Sequence, residues 1–225
     1  MNKTQGSGKK KRILLADDHP LMRQGLAQLI NHEPDLEVCA QAEDVAEALK
    51  EIEATKPDIV VTDLTFRTSN GIELIKDIRV RYPDLPVMVL TMHNEVFYAE
   101  RILRAGARGF VTKGERPATV IAGIRKVLAG EVFVSEKIAA QMIGKLVANK
   151  VAPGTMLLDT LSDREFEIFE LIGQGLEMRQ IAEQFHLSIK TVETHRDNIR
   201  KKLDLDNSAD LLKYALQWLH FESGS

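Results

Sequence analysis

Arg12-Ile13-Leu14-Leu15-Ala16-Asp17-Asp18-His19, residues 12–19, is the stretch from which the fold can be read. A short apolar run, Arg12–Ala16, stops abruptly on two carboxylates. A helical pattern then begins at Pro20 and runs to Asn31, with Leu21, Gly25/Leu26 and Leu29/Ile30 at helical spacing. A buried strand whose carboxyl end carries charge, followed at once by a helix, is the opening of a β-α unit.

The unit repeats outward from there. Leu36–Ala40 reads as a strand and Val45–Ala54 as a helix. Asp58–Thr62 is a β-branched run, so a strand at the sheet centre, and Gly71–Arg81 is its helix. Pro86–Thr91 and Glu95–Ala105 follow, then Arg108–Val111 and Pro117–Ala129, with a proline where a helix tolerates one. Five such repeats predict an α/β fold, a five-stranded parallel doubly wound (flavodoxin-like) sheet covered on both faces.

Past residue 130 the pattern changes. Ser135–Ala148 reads as an amphipathic helix, and Val151–Leu158, with Pro153-Gly154, as a linker. From Leu161 onward there is no strand pattern, only four short helices: Asp163–Gly173, Met178–Gln184, Ile189–Leu203 and Ser208–His220. Ser162 with Glu165 three residues later is a capping-box pattern, and Gly175 closes that first helix. The expected organisation is an α/β domain over 10–130, a linker with its helix over 131–158, and a small all-α four-helix domain over 159–221.

Composition excludes several classes. The chain has 225 residues, 44% of them hydrophobic, enough to bury real cores. Its 30 basic and 33 acidic side chains leave a net charge of −3, which fits neither a wholly basic nucleic-acid binder nor a disordered acidic chain. A single cysteine, Cys39, cannot form an internal disulfide, and no long apolar run spans a membrane. Ile13–Ala16 is too short for a signal-peptide core. The expected location is the cytoplasm.

In an open parallel sheet, ligands bind beyond the carboxyl ends of the strands. Asp17 and Asp18 end the first strand, Asp63 the third and Thr91 the fourth, and Lys113 follows the fifth. Three carboxylates together make a hard oxygen site suited to Mg²⁺. Lys113 and Thr91 add the cation and hydroxyl that a phosphoryl group needs, and a carboxylate can attack phosphorus to give an aspartyl phosphate. Any one of these aspartates alone reads equally well as a helix cap or a turn residue. Their convergence at strand ends does not.

The segments 14–19, Asp63 with Gly71, Thr91, and Gly109-Phe110-Val111-Thr112-Lys113 resemble a response-regulator receiver domain over roughly residues 10–130. That resemblance implies the following roles. Asp63 is the phosphoacceptor. Asp18, Asp63 and the carbonyl of Thr65 hold Mg²⁺, with Asp17 acting through water. Thr91 and Lys113 contact the phosphoryl group, and Phe110 is the switch aromatic. One departure stands out: Phe66-Arg67 occupies the place of the usual Met-Pro. Losing that proline predicts a more mobile loop beside the metal, with Arg67 adding charge.

In the helical half, Val192, Ile199 and Leu203 line one face of the third helix, while Lys190, Glu193, Thr194, Asp197 and Lys201 share the other. Arg196 and Arg200 flank the apolar stripe, where long stems still reach phosphates. Residues 190–202 carry five basic and two acidic side chains, although residues 151–225 as a whole are acidic. On composition alone a solvated face on a helical interaction domain is as good a reading. Leu161–Glu165, Ile168 to Gly175, Ile181-Ala182 and Leu187–Val192, with His195, Ile199 and Lys202-Leu203, resemble the LuxR-type helix-turn-helix. A receiver followed by this module is similar to the NarL/FixJ family of transcription regulators.

The resemblance implies DNA-backbone contact or support from Lys190, Thr191, His195 and Lys202, with positions 193, 194 and 197 facing base edges. Glu193 and Asp197 are expected to accept from cytosine amino groups. The expected partners are a sensor histidine kinase, an inverted-repeat DNA site and a second copy of the chain once phosphorylated. The receiver is expected to cover the recognition helix until then. Alternatives are a phosphorylation-independent regulator or interaction module, and an aspartyl-phosphate hydrolase. The last lacks a second acid two residues after Asp63, where Thr65 stands.

Overall fold

The computed structural model describes residues 9–66, 70–92, 96–148, 155–158, 160–185 and 187–223. Arg67, His93 and Pro153-Gly154 of the expected linker lie outside the described residues, as does the side chain of His220. The chain divides into two compact units, Met1–Ser135 and Glu136–Ser225.

The first unit is a parallel sheet with helices on both faces. Its elements are β1 (Lys11–Ala16), α1 (Pro20–Asn31), β2 (Leu36–Ala42), α2 (Val45–Thr55), β3 (Ile59–Thr62), α3 (Gly71–Arg81), β4 (Val87–Thr91), α4 (Val96–Ala105), β5 (Gly109–Thr112) and α5 (Pro117–Leu128). A sixth strand, β6 (Phe133–Val134), completes the order β2-β1-β3-β4-β5-β6. Five strands are expected from the sequence and six are present. Two residues are too few to show a period, so β6 announces itself only by pairing Gly109 with Phe133 and Phe110 with Val134. Gly123 in α5 makes room for it, since a Cβ there would sit 2.7 Å from the Phe133 ring.

Alternation along the strands divides the core in two. Ile13, Leu15, Ile59, Val61, Met88, Leu90 and Val111 pack with Leu26, Ala27 and Ile30 of α1 and with Val120, Ile121, Ile124 and Val127 of α5. The intervening residues Leu14, Val60, Val89 and Phe110 point to the opposite face and are equally buried. Because β1 lies between β2 and β3, the chain leaves β1 and β3 toward opposite edges. That switch point opens a crevice at their carboxyl ends.

The second unit is helical: α6 (Glu136–Ala148), α7 (Thr155–Leu158), α8 (Asp163–Gly173), α9 (Met178–Gln184), α10 (Ile189–Lys202) and α11 (Ser208–Ser223). The capping box forms, with Ser162 N–H donating to Glu165 Oε2 at 2.7 Å and Glu165 N–H to Ser162 Oγ at 3.3 Å. Gly175 takes φ +84° just past α8, a left-handed turn that a side chain would strain. Trp218 is a packing residue: it meets Phe166 edge-on at 5.3 Å and lies 5.8 Å from Phe169. On α11, Leu211 and Ala215 are buried, while Leu212 and Leu216 remain about 40% exposed.

Candidate functional site

The crevice at the ends of β1 and β3 collects the charged groups. Asp17 is 3% and Asp63 5% exposed, each just past the end of its strand. Lys113, one residue past β5, reaches in to place Nζ 2.5 Å from Asp63 Oδ2 and 2.8 Å from Asp17 Oδ2. Its own side chain is only 4% exposed. Thr91, at the end of β4, is buried, and its carbonyl accepts from Lys113 N–H at 2.7 Å, which ties the ends of β4 and β5 together. Phe110, on β5 and three residues before Lys113, is fully buried.

The Asp63 carboxylate is held on two sides. Its Oδ1 accepts the N–H of Leu64 at 2.6 Å, and its Oδ2 faces Lys113. Burial pushes the Asp63 carboxyl above the ordinary aspartate value, the Lys113 charge pulls it back, and the Asp17 charge adds to the rise. For Lys113, burial alone would depress the ammonium, but Asp63 and Asp17 outweigh it and hold it above its usual value. One buried lysine thus offsets part of a carboxylate cluster it cannot neutralise.

The loop after Asp63 is tied at its stem. Gly71 N–H donates to Leu64 carbonyl at 2.7 Å, Thr65 and Asn70 form an antiparallel bridge, and Asn70 caps α3 by accepting from Ile72 N–H. Gly71 lies on the Asp63–Leu64 backbone so closely that a Cβ would fall 2.3 Å from the Asp63 carbonyl oxygen. Phe66, which the sequence reading treats only as a lost Met-Pro restraint, is 1% exposed. Its burial anchors this end of the loop where a proline would have stiffened it.

His19, to which the sequence analysis assigns no role, joins this cluster. Its Nδ1 lies 2.8 Å from Asp18 Oδ1, 3.2 Å from Asp17 Oδ1 and 4.0 Å from Asp63 Oδ2. One donor atom from each of Asp17, Asp18, His19 and Asp63 falls within 4.8 Å of the others. Three carboxylates at this spacing suit a small hard divalent cation, and the charge that Lys113 leaves uncompensated is what such an ion would balance. The only sequence signal for His19 was its place directly after the acidic pair.

The second candidate surface is α10. Ser188 caps it by accepting from Thr191 N–H at 3.1 Å, and the two hydroxyls lie 2.8 Å apart. Val192 and Ile199 are buried, as is Leu203 just beyond the helix end, so Lys190, Glu193, Thr194 and Lys201 are left on the exposed side. Thr194 donates its hydroxyl to the Lys190 carbonyl at 2.9 Å. Asp197 is not a free acceptor: Arg196 donates to its Oδ1 at 3.1 Å and Arg200 lies 3.7 Å from the same oxygen. Arg200 also donates to the Asp206 carbonyl.

Lys202 binds the capping-box carboxylate, Nζ to Glu165 Oε2 at 2.6 Å, which joins the end of α10 to the start of α8. Burial would raise the Glu165 carboxyl, but Lys202 and the Ser162 N–H hold it below its ordinary value. His195 is half-buried; desolvation lowers its imidazole, against the opposing pull of Glu165.

Comparison with known proteins gives concordant matches for both units. Residues 13–125 match the response regulator receiver domain, and residues 159–215 match the bacterial regulatory proteins of the luxR family. The chain is 33% identical over 210 residues to the oxygen regulatory protein NreC of Staphylococcus haemolyticus, covering 92% of this chain and 97% of that protein. It is 34% identical over 210 residues to NreC of Staphylococcus aureus, with the same coverage. Among solved structures, a LuxR-family two-component response regulator from Aurantimonas sp. SI85-9A1 is 38% identical, with a TM-score of 0.60, covering 62% of this chain and 99% of that one. RcsB from Salmonella enterica serovar Typhimurium, bound to promoter P1flhDC in the presence of phosphomimetic BeF3-, is 25% identical with a TM-score of 0.60 over 92% of this chain and 98% of that one.

Proposed function

Because the chain belongs to the two-component response regulators that join a receiver to a LuxR-type DNA-binding domain, we propose that Asp63 is its phosphoacceptor and that phosphorylation there controls DNA binding through α10. The observation that carries this is the buried Asp63 at the end of β3, with Lys113 at 2.5 Å and the Asp17–Asp18 pair beside it. A carboxylate oxygen of Asp63 attacks the phosphorus of a phosphohistidine on the partner kinase. The P–O bond forms as the P–N bond breaks, and the leaving imidazole takes up a proton. Leu64 N–H orients the attacking carboxylate. Lys113 and the Thr91 hydroxyl receive the phosphoryl oxygens, Lys113 exchanging carboxylate partners for phosphate ones.

Asp18, Asp63 and the Thr65 carbonyl would hold Mg²⁺, with Asp17 acting through water; when bound, the ion supplies positive charge for the transferring phosphoryl group. Phe110, buried next to the β4–β5 edge, is the aromatic whose packing reports the change at Thr91. The change is a population shift, since phosphate must bind one conformation better than the other.

In the second unit Lys190, Thr191, His195, Arg196, Arg200, Lys201 and Lys202 supply contact or support at the DNA backbone, and Glu193 and Thr194 face base edges. Asp197, engaged by Arg196 and Arg200, serves chiefly to hold those guanidiniums in place. A dimer would present two such helices to an inverted repeat.

The test is selection from random duplexes by the full chain, with and without prior phosphorylation by a small phosphodonor. The expected result is enrichment of paired inverted half-sites about one helical turn apart, stronger after phosphorylation. Equal affinity for a single half-site and a paired one would remove dimeric recognition. Equal binding in both phosphorylation states would favour the phosphorylation-independent reading.

A further inference from the structure

His19 lies against the carboxylates of the candidate cation site. Nδ1 is turned toward the acidic pair while the ring stays open to solvent, with 67% of its side chain exposed. Two donors bound side by side to an octahedral cation, at bond lengths of about 2.1 Å, lie about 3.0 Å apart, and opposite donors about 4.2 Å. From Nδ1 the distances to Asp18, Asp17 and Asp63 oxygens are 2.8, 3.2 and 4.0 Å. The Asp18 and Asp63 separations are an edge and a diagonal of one coordination octahedron, and the Asp17 separation is that of a hydrogen-bonded neighbour outside it. Nδ1 already lies within hydrogen-bond distance of Asp17 Oδ1 without an ion, so the ring needs no new rotamer to become a ligand, only its proton on Nε2. The His19 backbone supports the placement: its N–H donates to Asp17 Oδ1 at 2.8 Å, fixing the residue beside the cluster.

We propose that His19 is a further ligand of this site through Nδ1, and that it moves the site's preference from Mg²⁺ toward divalent ions of borderline softness such as Co²⁺, Ni²⁺ and Zn²⁺. An all-oxygen site suits Mg²⁺, which keeps its waters and gains little from nitrogen; an imidazole donor favours the later transition ions. The inference rests on the reading of Asp17, Asp18 and Asp63 as a divalent-cation site.

The experiment measures binding of Co²⁺ directly and of Mg²⁺ by competition to the full chain, for the wild type, His19→Ala, His19→Asn and Asp18→Asn, each checked for folding by circular dichroism. Proton NMR of the Co²⁺-loaded forms reads ligation itself, as a far-shifted, solvent-exchangeable imidazole N–H. Both His19 variants keep the backbone N–H that caps Asp17, so both should fold. The expected result is one such resonance in the wild type and none in either His19 variant. The preference for Co²⁺ over Mg²⁺ should fall about tenfold or more in both. An unchanged resonance and preference in the His19 variants, with both ions lost in Asp18→Asn, overturns the inference and leaves the cation site intact. Retention of both ions by Asp18→Asn overturns the cation-site reading and the inference with it.

Discussion

Gly71→Ala should destabilise the receiver by about 3 kcal/mol, the upper end of the cost of forcing one methyl into a filled space. A Cβ at position 71 would stand 2.3 Å from the Asp63 carbonyl oxygen and 2.9 Å from both Cα and the carbonyl oxygen of Leu64. All three are backbone atoms, so no side chain can turn aside. The loop stem must move by about 1 Å, the shortfall from ordinary contact, stretching the Gly71 N–H to Leu64 carbonyl bond of 2.7 Å. For a domain of this size, about 3 kcal/mol lowers the unfolding midpoint by roughly 12 °C. Thermal unfolding of the full chain by calorimetry is the assay. Gly25→Ala is the paired control: a Cβ there meets nothing within 4 Å, in the middle of α1. That substitution should raise stability by about 0.5–1 kcal/mol through helix propensity. A Gly71→Ala midpoint equal to or above the wild type would refute the close-approach argument.

Three further outcomes follow from the geometry. Lys113→Met leaves Asp17 and Asp63 buried without their shared ammonium and should cost about 3–5 kcal/mol, part of which Mg²⁺ restores; a melting midpoint no more Mg²⁺-sensitive than the wild type would contradict this. The Glu165 carboxyl lies below its ordinary 4.5 in the folded chain, so its contribution is full above that pH and is lost as pH falls through the lower folded value. Lys202→Met should cost under about 1 kcal/mol at neutral pH and flatten this acid-side slope, read by acid titration of the helical signal. Glu193→Ala should relax base preference at one position of each selected half-site without weakening binding to unrelated duplexes; an unchanged preference would mean that Glu193 reads no base.

The sequence carried the receiver pocket well because its chemistry sits at strand ends. Hydrophobic runs locate strands, and Asp17, Asp18, Asp63, Thr91 and Lys113 are the polar residues that stop them. Helix α8 could be bounded to the residue, since Ser162 and Gly175 are strong local signals. What escaped was tertiary or too short. β6 has two residues, and its pairing to β5 depends on Phe133 reaching Gly123. The capping box of α9 uses Glu177 with Gln180, an uncommon residue at that position. The Lys202–Glu165 pair joins residues 37 apart, and the burial of Phe66 is a tertiary feature no local pattern describes. The ion pairs of Asp197 with Arg196 and Arg200 depend on side-chain rotamers that the sequence does not display.

The measurement that bears most directly on the whole account is the intact mass of the full chain after incubation with a small-molecule phosphodonor and Mg²⁺, for the wild type and Asp63→Asn. The account predicts one phosphoryl group gained by the wild type and none by the variant. A folded wild type that gains nothing, or a variant that gains as much as the wild type, would contradict Asp63 as the phosphoacceptor.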